Sequence, residues 1–120
     1  MIGSSPEAAE VRAVIEQHEK VLHAPHLVDA EVAQALRGLV LGGKLGARRA
    51  ERAIRRIGQL PMIRYGHLAL LPRSFRLRTN TTIYDGLYLA LAEALRATLL
   101  TRDVGLAKVA RRSVNVALVA

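Results

Sequence analysis

The sequence predicts an α/β domain, a mostly parallel sheet flanked by helices, and three observations lead there. Short apolar runs alternate along the chain with longer segments of helical period, the pattern of parallel strands joined by helical crossovers. The 120 residues are 51% apolar, which suits one compact domain with a real core. Turn and stop residues fall between the segments, with Pro25 after the first strand candidate and Gly42-Gly43 after a long helix candidate. The chain shows no repeat, low-complexity tract or linker, so residues 1–120 read as a single domain. Phe75, Tyr65, Tyr84 and Tyr88 are its four aromatic residues, so Leu, Val, Ile and Ala must build the core.

Ser5-Pro6-Glu7 is a helix start: Ser5 suits the cap, Pro6 the first turn and Glu7 the positive dipole end. Val11, Val14, Ile15 and His18 then share a face. Val21–Ala24 is a strand candidate, and Val28–Leu41 is the next helix. Ala47–Leu60 is a third helix, with Ala50, Ala53, Ile54 and Ile57 spaced as a buried stripe. Its Arg48, Arg52, Arg55 and Arg56 form either a solvated face or a basic rim for RNA or an acidic partner. Pro61–Tyr65 is a strand candidate, and a loop or short helix runs on to Phe75. Thr82–Arg96 is the clearest helix, with Ile83, Leu87, Ala90, Leu91, Ala94 and Leu95 as its apolar face. Thr98–Thr101 is a strand, Asp103–Arg111 a short helix and Val114–Val119 a closing strand.

Charge narrows the function. Lys and Arg number 18 against 10 acids, a net charge of +8. Such a balance favours polyanions, because neutralising phosphates releases counterions; a basic protein with no nucleic-acid role is the plainer alternative. With no cysteine, disulfides and thiolate metal sites are excluded. His18, His23, His26 and His67 lack zinc-hydrolase spacing. No run approaches the roughly 18 apolar residues of a membrane span. The N-terminus passes directly into Gly3-Ser4-Ser5-Pro6 without a signal peptide, so a cytoplasmic location is expected.

The candidate chemistry lies in acids. Asp29, Asp85 and Asp103 are the three aspartates. Asp103 follows a strand, where open parallel sheets bind ligands. Asp85 opens the helix leading into that strand, and Glu31 lies in the helix after the first strand candidate. Three carboxylates from separated segments can therefore converge. Oxygen ligands without His or Cys suit Mg²⁺ or Mn²⁺, which can activate water and neutralise a phosphodiester's charge. Each acid also has a structural explanation. Asp85 stands three residues after Thr82 as in a capping box, Asp103 suits an N-cap, and Glu31 suits a helix surface.

Tyr84-Asp85-Gly86-Leu87-Tyr88-Leu89-Ala90-Leu91-Ala92-Glu93-Ala94-Leu95 resembles the "YDAxYvALAEaL" signature of VapC-type PIN domains. Leu99-Leu100-Thr101-Arg102-Asp103 is similar to the family's "LLTxD", and Arg78 and Asn80 resemble its "LRxN". Pro25–Val32 is similar to the segment carrying the family's helix-borne glutamate. The resemblance implies a PIN-like parallel sheet flanked by helices in a homodimer. It implies a toxin that is a Mg²⁺- or Mn²⁺-dependent endoribonuclease of structured RNA such as transfer or ribosomal RNA, blocked by a VapB-type antitoxin. It assigns Glu31, Asp85 and Asp103 as catalytic metal ligands, and it places Asn80, Thr101 and Arg102 with the nucleic acid.

The sequence departs from the family at its N-terminus. Members begin with a hydrophobic strand ending in Asp, whereas Met1-Ile2 is followed by Gly3-Ser4-Ser5-Pro6. The domain is therefore expected to be N-terminally shortened, lacking the central first strand and the first acid. That strand would lie between Val21–Ala24 and Thr98–Thr101, and an empty slot would leave its neighbours nearly 10 Å apart. Unpaired ladder groups there would cost about 1–3 kcal/mol each. The chain is thus expected to be incomplete relative to the functional protein, and weakly active or inactive.

Two other readings stand beside the nuclease. One is a catalytically impaired PIN-like module that only binds antitoxin or RNA. The other is a helical nucleic-acid binder using Arg48–Arg56. Leu36, Leu39, Val40, Leu41 and Leu45 form either antitoxin-binding surface or ordinary core.

Overall fold

A computed structural model of the chain describes residues 21–119. The helix expected from Ser5 to His18 and the Met1-Ile2 segment lie outside the described residues. The elements are β1 (Leu22–Pro25), α1 (Leu27–Leu41), α2 (Ala47–Ile57), β2 (Met62–Tyr65), α3 (Leu71–Arg76), α4 (Ile83–Leu95), β3 (Leu99–Thr101), α5 (Val104–Ala110) and β4 (Val116–Leu118). Alternation of strand and helix is as expected, with ends displaced by a few residues.

The strands pair in parallel. Leu22 lies opposite Met62 and Pro25 opposite Tyr65, with α1 and α2 forming the crossover. Leu99 lies opposite Val116 and Thr101 opposite Leu118, with α5 as the crossover. Among the described residues these are two separate two-stranded sheets. β1 and β3, the neighbours expected on either side of a central first strand, belong to different pairs.

One helix joins the two halves. Every residue of α4 from Gly86 to Ala92 is buried. Tyr88, Leu89 and Ala92 pack with Ala24 of β1, Val28 of α1, Leu99 of β3, and Leu106 and Ala110 of α5. Leu87, Ala90 and Leu91 pack with Leu70 on another side. A helix apolar around its circumference is one covered from several directions. The expected single stripe is corrected accordingly: Ala94 and Leu95 are exposed, and a continuous run is buried instead. Thr82 caps the helix, its Oγ1 accepting the Asp85 N–H at 3.1 Å. The helix ends at Arg96, whose φ of 51° is left-handed.

The α1–α2 layer is less covered. In α2 only Ala50 of the expected stripe is buried, and Ile54 is 44% exposed. Leu36, Leu39, Val40 and Leu45 are half-buried, and Leu41 is 69% exposed. Arg64 of β2 holds this layer in place, donating to Asp29 Oδ2 at 2.7 Å and to the Ile57 carbonyl at 2.9 Å. At the start of α1, the Leu27 N–H donates to His67 Nε2 at 3.0 Å. Among the described residues no helix is long and apolar enough to cross a membrane.

Candidate active site

The candidate acids come from three elements. Asp85 is in the first turn of α4, and its N–H is fixed by Thr82. Asp103 is the N-cap of α5, with Oδ1 accepting the Leu106 N–H at 3.0 Å. The Thr101 hydroxyl, buried at the end of β3, accepts the Asp103 N–H at 3.0 Å. Strand end, cap and helix start are therefore locked together, which fixes where the Asp103 carboxylate stands. The N-cap expected of Asp103 is present, and Thr82 caps α4 by accepting the Asp85 N–H, the first half of the expected capping box.

The caps meet at one pocket of about 270 Å³, lined by Asp85, Tyr88, Thr101, Arg102, Asp103 and Leu106 among others. The Asp85 carboxyl is held above the usual carboxylate range, first by burial and second by repulsion from Asp103. The Thr82 hydroxyl offsets part of this by hydrogen bonding to the carboxylate. A carboxyl raised by burial and by a neighbouring like charge is a recognised feature of functional sites.

Glu31 reaches the pocket through an intermediary. The Tyr88 hydroxyl donates to Glu31 Oε1, which joins α1 to α4 across 57 residues. Burial, this bond to Glu31 and the nearby charges of Glu31, Asp85 and Asp29 all push the Tyr88 phenol upward, so it stays protonated. Tyr88 lies three residues after Asp85, on the same helix face. That spacing is the signal in the sequence that could yield it.

The structure thus places Asp85, Asp103, Thr101 and Arg102 around one pocket and links Glu31 to its wall. Asn80 is exposed and does not line the pocket. Among the described residues no three His, Cys, Asp or Glu side chains stand close enough to hold one ion. The arrangement has two carboxylates lining one pocket, with Glu31 tied to Tyr88 in its wall.

The PIN domain family model matches residues 1–112. The chain belongs to the PIN-domain family, in its VapC type. It is 44% identical to Ribonuclease VapC9 of Mycobacterium tuberculosis over 85 residues, 71% of this chain and 67% of that protein. It is 40% identical to Ribonuclease VapC1 of the same organism over 108 residues, 89% of this chain and 80% of that one. Ribonuclease VapC3, also of M. tuberculosis, is 33% identical over 105 residues, covering 88% and 75% respectively. The PIN family match covers both acid-bearing motifs of the pocket, those of Asp85 and Asp103.

Proposed function

We propose that this PIN-domain chain is the toxin of a type II toxin–antitoxin pair, a divalent-cation-dependent endoribonuclease acting on structured RNA such as transfer or ribosomal RNA. The observation that carries the reading is the convergence of Asp85 and Asp103 on one half-buried pocket, at positions matching the family's acids. A fold that brings two carboxylates to one pocket is suited to a cation held by both. The relatives named above, all ribonucleases, supply the substrate class.

The donor set fits a hard cation. Asp85 and Asp103 offer oxygen only, which suits Mg²⁺, with Mn²⁺ as an alternative. These two residues would hold the ion, and Glu31 would complete the negative face of the site. When bound, such a cation neutralises charge on a phosphodiester and lowers the pKa of a water. The chain's own residues orient the acids: Leu106 N–H fixes the Asp103 carboxylate, Thr82 that of Asp85 and Tyr88 that of Glu31. Arg102 lines the same pocket and would meet the substrate's phosphates, and the exposed Asn80 would meet the RNA outside it.

A VapB-type antitoxin fits the half-buried leucines of α1, Leu45 beyond it and the exposed Leu41, a surface more apolar than a small domain leaves bare. Homodimer assembly and a cytoplasmic location accompany this reading.

One experiment tests it directly. Transfer RNA incubated with the chain and Mg²⁺ should be cut, and Asp85→Asn, Asp103→Asn or a chelator should each abolish cutting. Cleavage surviving both substitutions would remove the pocket from the mechanism. A second reading has its own observation: Glu31 is engaged by Tyr88, and among the described residues no three acids are grouped. It is a module that binds antitoxin or RNA without cutting, and tight antitoxin binding with no metal-dependent cleavage would select it.

A further inference from the structure

At the far end of α4 from Asp85 lies a second cleft, of about 420 Å³, lined by Arg96, Arg111, Arg112, Ser113, Asn115 and Glu93 among others. It is open to solvent and has room for a nucleotide unit rather than only an ion. Its acid is already neutralised. Glu93 accepts two bonds from Arg73, at 2.7 and 3.0 Å, which holds its carboxyl below the usual range.

The three lining arginines are exposed and make no ion pair among the described residues. Their plain explanation is compensation of helix dipoles, since Arg96 and Arg111 are the C-caps of α4 and α5. Two helix ends carry only about one negative charge between them. Three guanidiniums exceed that, so roughly two positive charges are left over. Arg96 carries a further sign. Its left-handed backbone is the conformation glycine fills at least cost, yet a long cation stands there.

We propose that this cleft is a secondary phosphate-binding site that grips the RNA substrate away from the bond being cut. The proposal rests on the ribonuclease reading above. Guanidiniums with a serine hydroxyl and an asparagine amide suit phosphodiester oxygens. Protein partners are held by buried aromatic or aliphatic anchors, and the cleft's lining includes no large apolar side chain. Protein–nucleic-acid interfaces are, by contrast, polar and strongly positive. Asp85 and Arg96 stand roughly 16 Å apart along α4 at 1.5 Å per residue. A folded RNA can bridge that distance, whereas a very short oligonucleotide cannot reach both ends.

The test compares binding of a folded transfer RNA and of a short single-stranded RNA, by fluorescence anisotropy across a salt series without divalent cation. The proteins are the full chain, its Arg96→Gly/Arg111→Gln/Arg112→Gln variant, and an Arg48→Gln/Arg52→Gln/Arg55→Gln variant that removes the same charge from α2. Glycine at position 96 suits the backbone, so the cleft variant should fold, and circular dichroism melting checks this. The cleft variant is expected to bind transfer RNA on the order of tenfold more weakly at low salt. Its slope of log affinity against log salt should fall by about two to three. Its binding of the short RNA should match the unaltered chain, and the α2 variant should lose much less. An unchanged slope for transfer RNA overturns the cleft assignment alone. Equal losses in both triple variants, or equal losses on both RNAs, overturn it as a mere effect of net charge. Absence of RNA binding by the unaltered chain overturns the ribonuclease reading with it.

Discussion

Gly86 stands next to Asp85, in a position where even one methyl group is too large. A Cβ there would lie 2.4 Å from Ser74 Oγ, 3.1 Å from Thr81 Oγ1 and 3.2 Å from Ser74 Cα. Ser74 is 0% exposed, and its hydroxyl donates to the Ile83 carbonyl at 2.8 Å. The hydroxyl can turn away only by giving up that bond, worth about 1 kcal/mol. The Ser74 backbone cannot turn away at all, and overpacking of this kind costs about 1–3 kcal/mol. Alanine returns about 1 kcal/mol of helix propensity. Gly86→Ala should therefore destabilise the fold by about 1–3 kcal/mol. The signature that α4 resembles has alanine at this position, so the clash belongs to the pairing with Ser74. Ser74→Ala removes the 2.4 Å contact, and Gly86→Ala should be much less harmful in that background, with a coupling of about 1–2 kcal/mol. Urea denaturation of the four proteins measures it. Additive effects, or a Gly86→Ala protein as stable as the parent, would refute the packing argument.

Three further outcomes follow from the same geometry. Asp85's carboxyl is raised by burial and by Asp103, so its contribution to stability is present below the unfolded pKa and lost as pH rises through the folded one. Asp85→Asn should thus be more stable than the parent at neutral pH but not in acid, and Mg²⁺ should raise the parent's melting temperature without raising the variant's; thermal melts at two pH values decide this. Tyr88→Phe should cost about 1–2 kcal/mol, because it strands the Glu31 carboxylate, and it should weaken Mg²⁺ binding measured by calorimetry, while a variant that keeps the parent's cation affinity would show Tyr88 to be structural only. Glu93 behaves oppositely to Asp85: Arg73 lowers its pKa, so its stabilisation is present above the unfolded pKa and lost as pH falls through the folded one; the pair is partly exposed, so Glu93→Gln should cost less than about 1 kcal/mol, and less still in high salt.

The sequence made local structure legible and left meetings between distant segments obscure. Thr82 and Asp103 announce their caps, because a cap needs only its own turn. The burial of α4 departs from the expected single stripe for a physical reason: periodicity reports a helix with one covered face, and this one is covered from several. In α2 the stripe was real in spacing but lies on a thin layer, so only Ala50 is buried. The Tyr88–Glu31 bond joins residues 57 apart, and no local pattern encodes such a distance. The basic cleft at Arg96, Arg111 and Arg112 escaped for the same reason, since two helix ends must meet to form it. Asp85 and Asp103 could be nominated from their motifs, but their repulsion depends on how β3 delivers one to the other.

Capping and catalysis are not rival explanations for these acids. A cap uses one carboxylate oxygen, and a carboxylate has two, with about four acceptor sites. At Asp103 the Leu106 N–H occupies Oδ1 and thereby fixes the orientation of the whole group. Such caps are worth about 1 kcal/mol, so the acid supports the fold locally while opposing it across the pocket, where burial first and the Asp103 charge second push the Asp85 carboxyl upward. A cation placed between the two carboxylates would remove that repulsion, and by linkage the free energy released must appear as cation affinity. The stability lost by holding Asp85 beside Asp103 is therefore recovered on binding, and it is recovered only if both groups are ionised. Cation affinity should accordingly rise with pH through the elevated Asp85 titration, and Asp103→Asn, which relieves the repulsion in advance, should bind more weakly although its pocket is less strained.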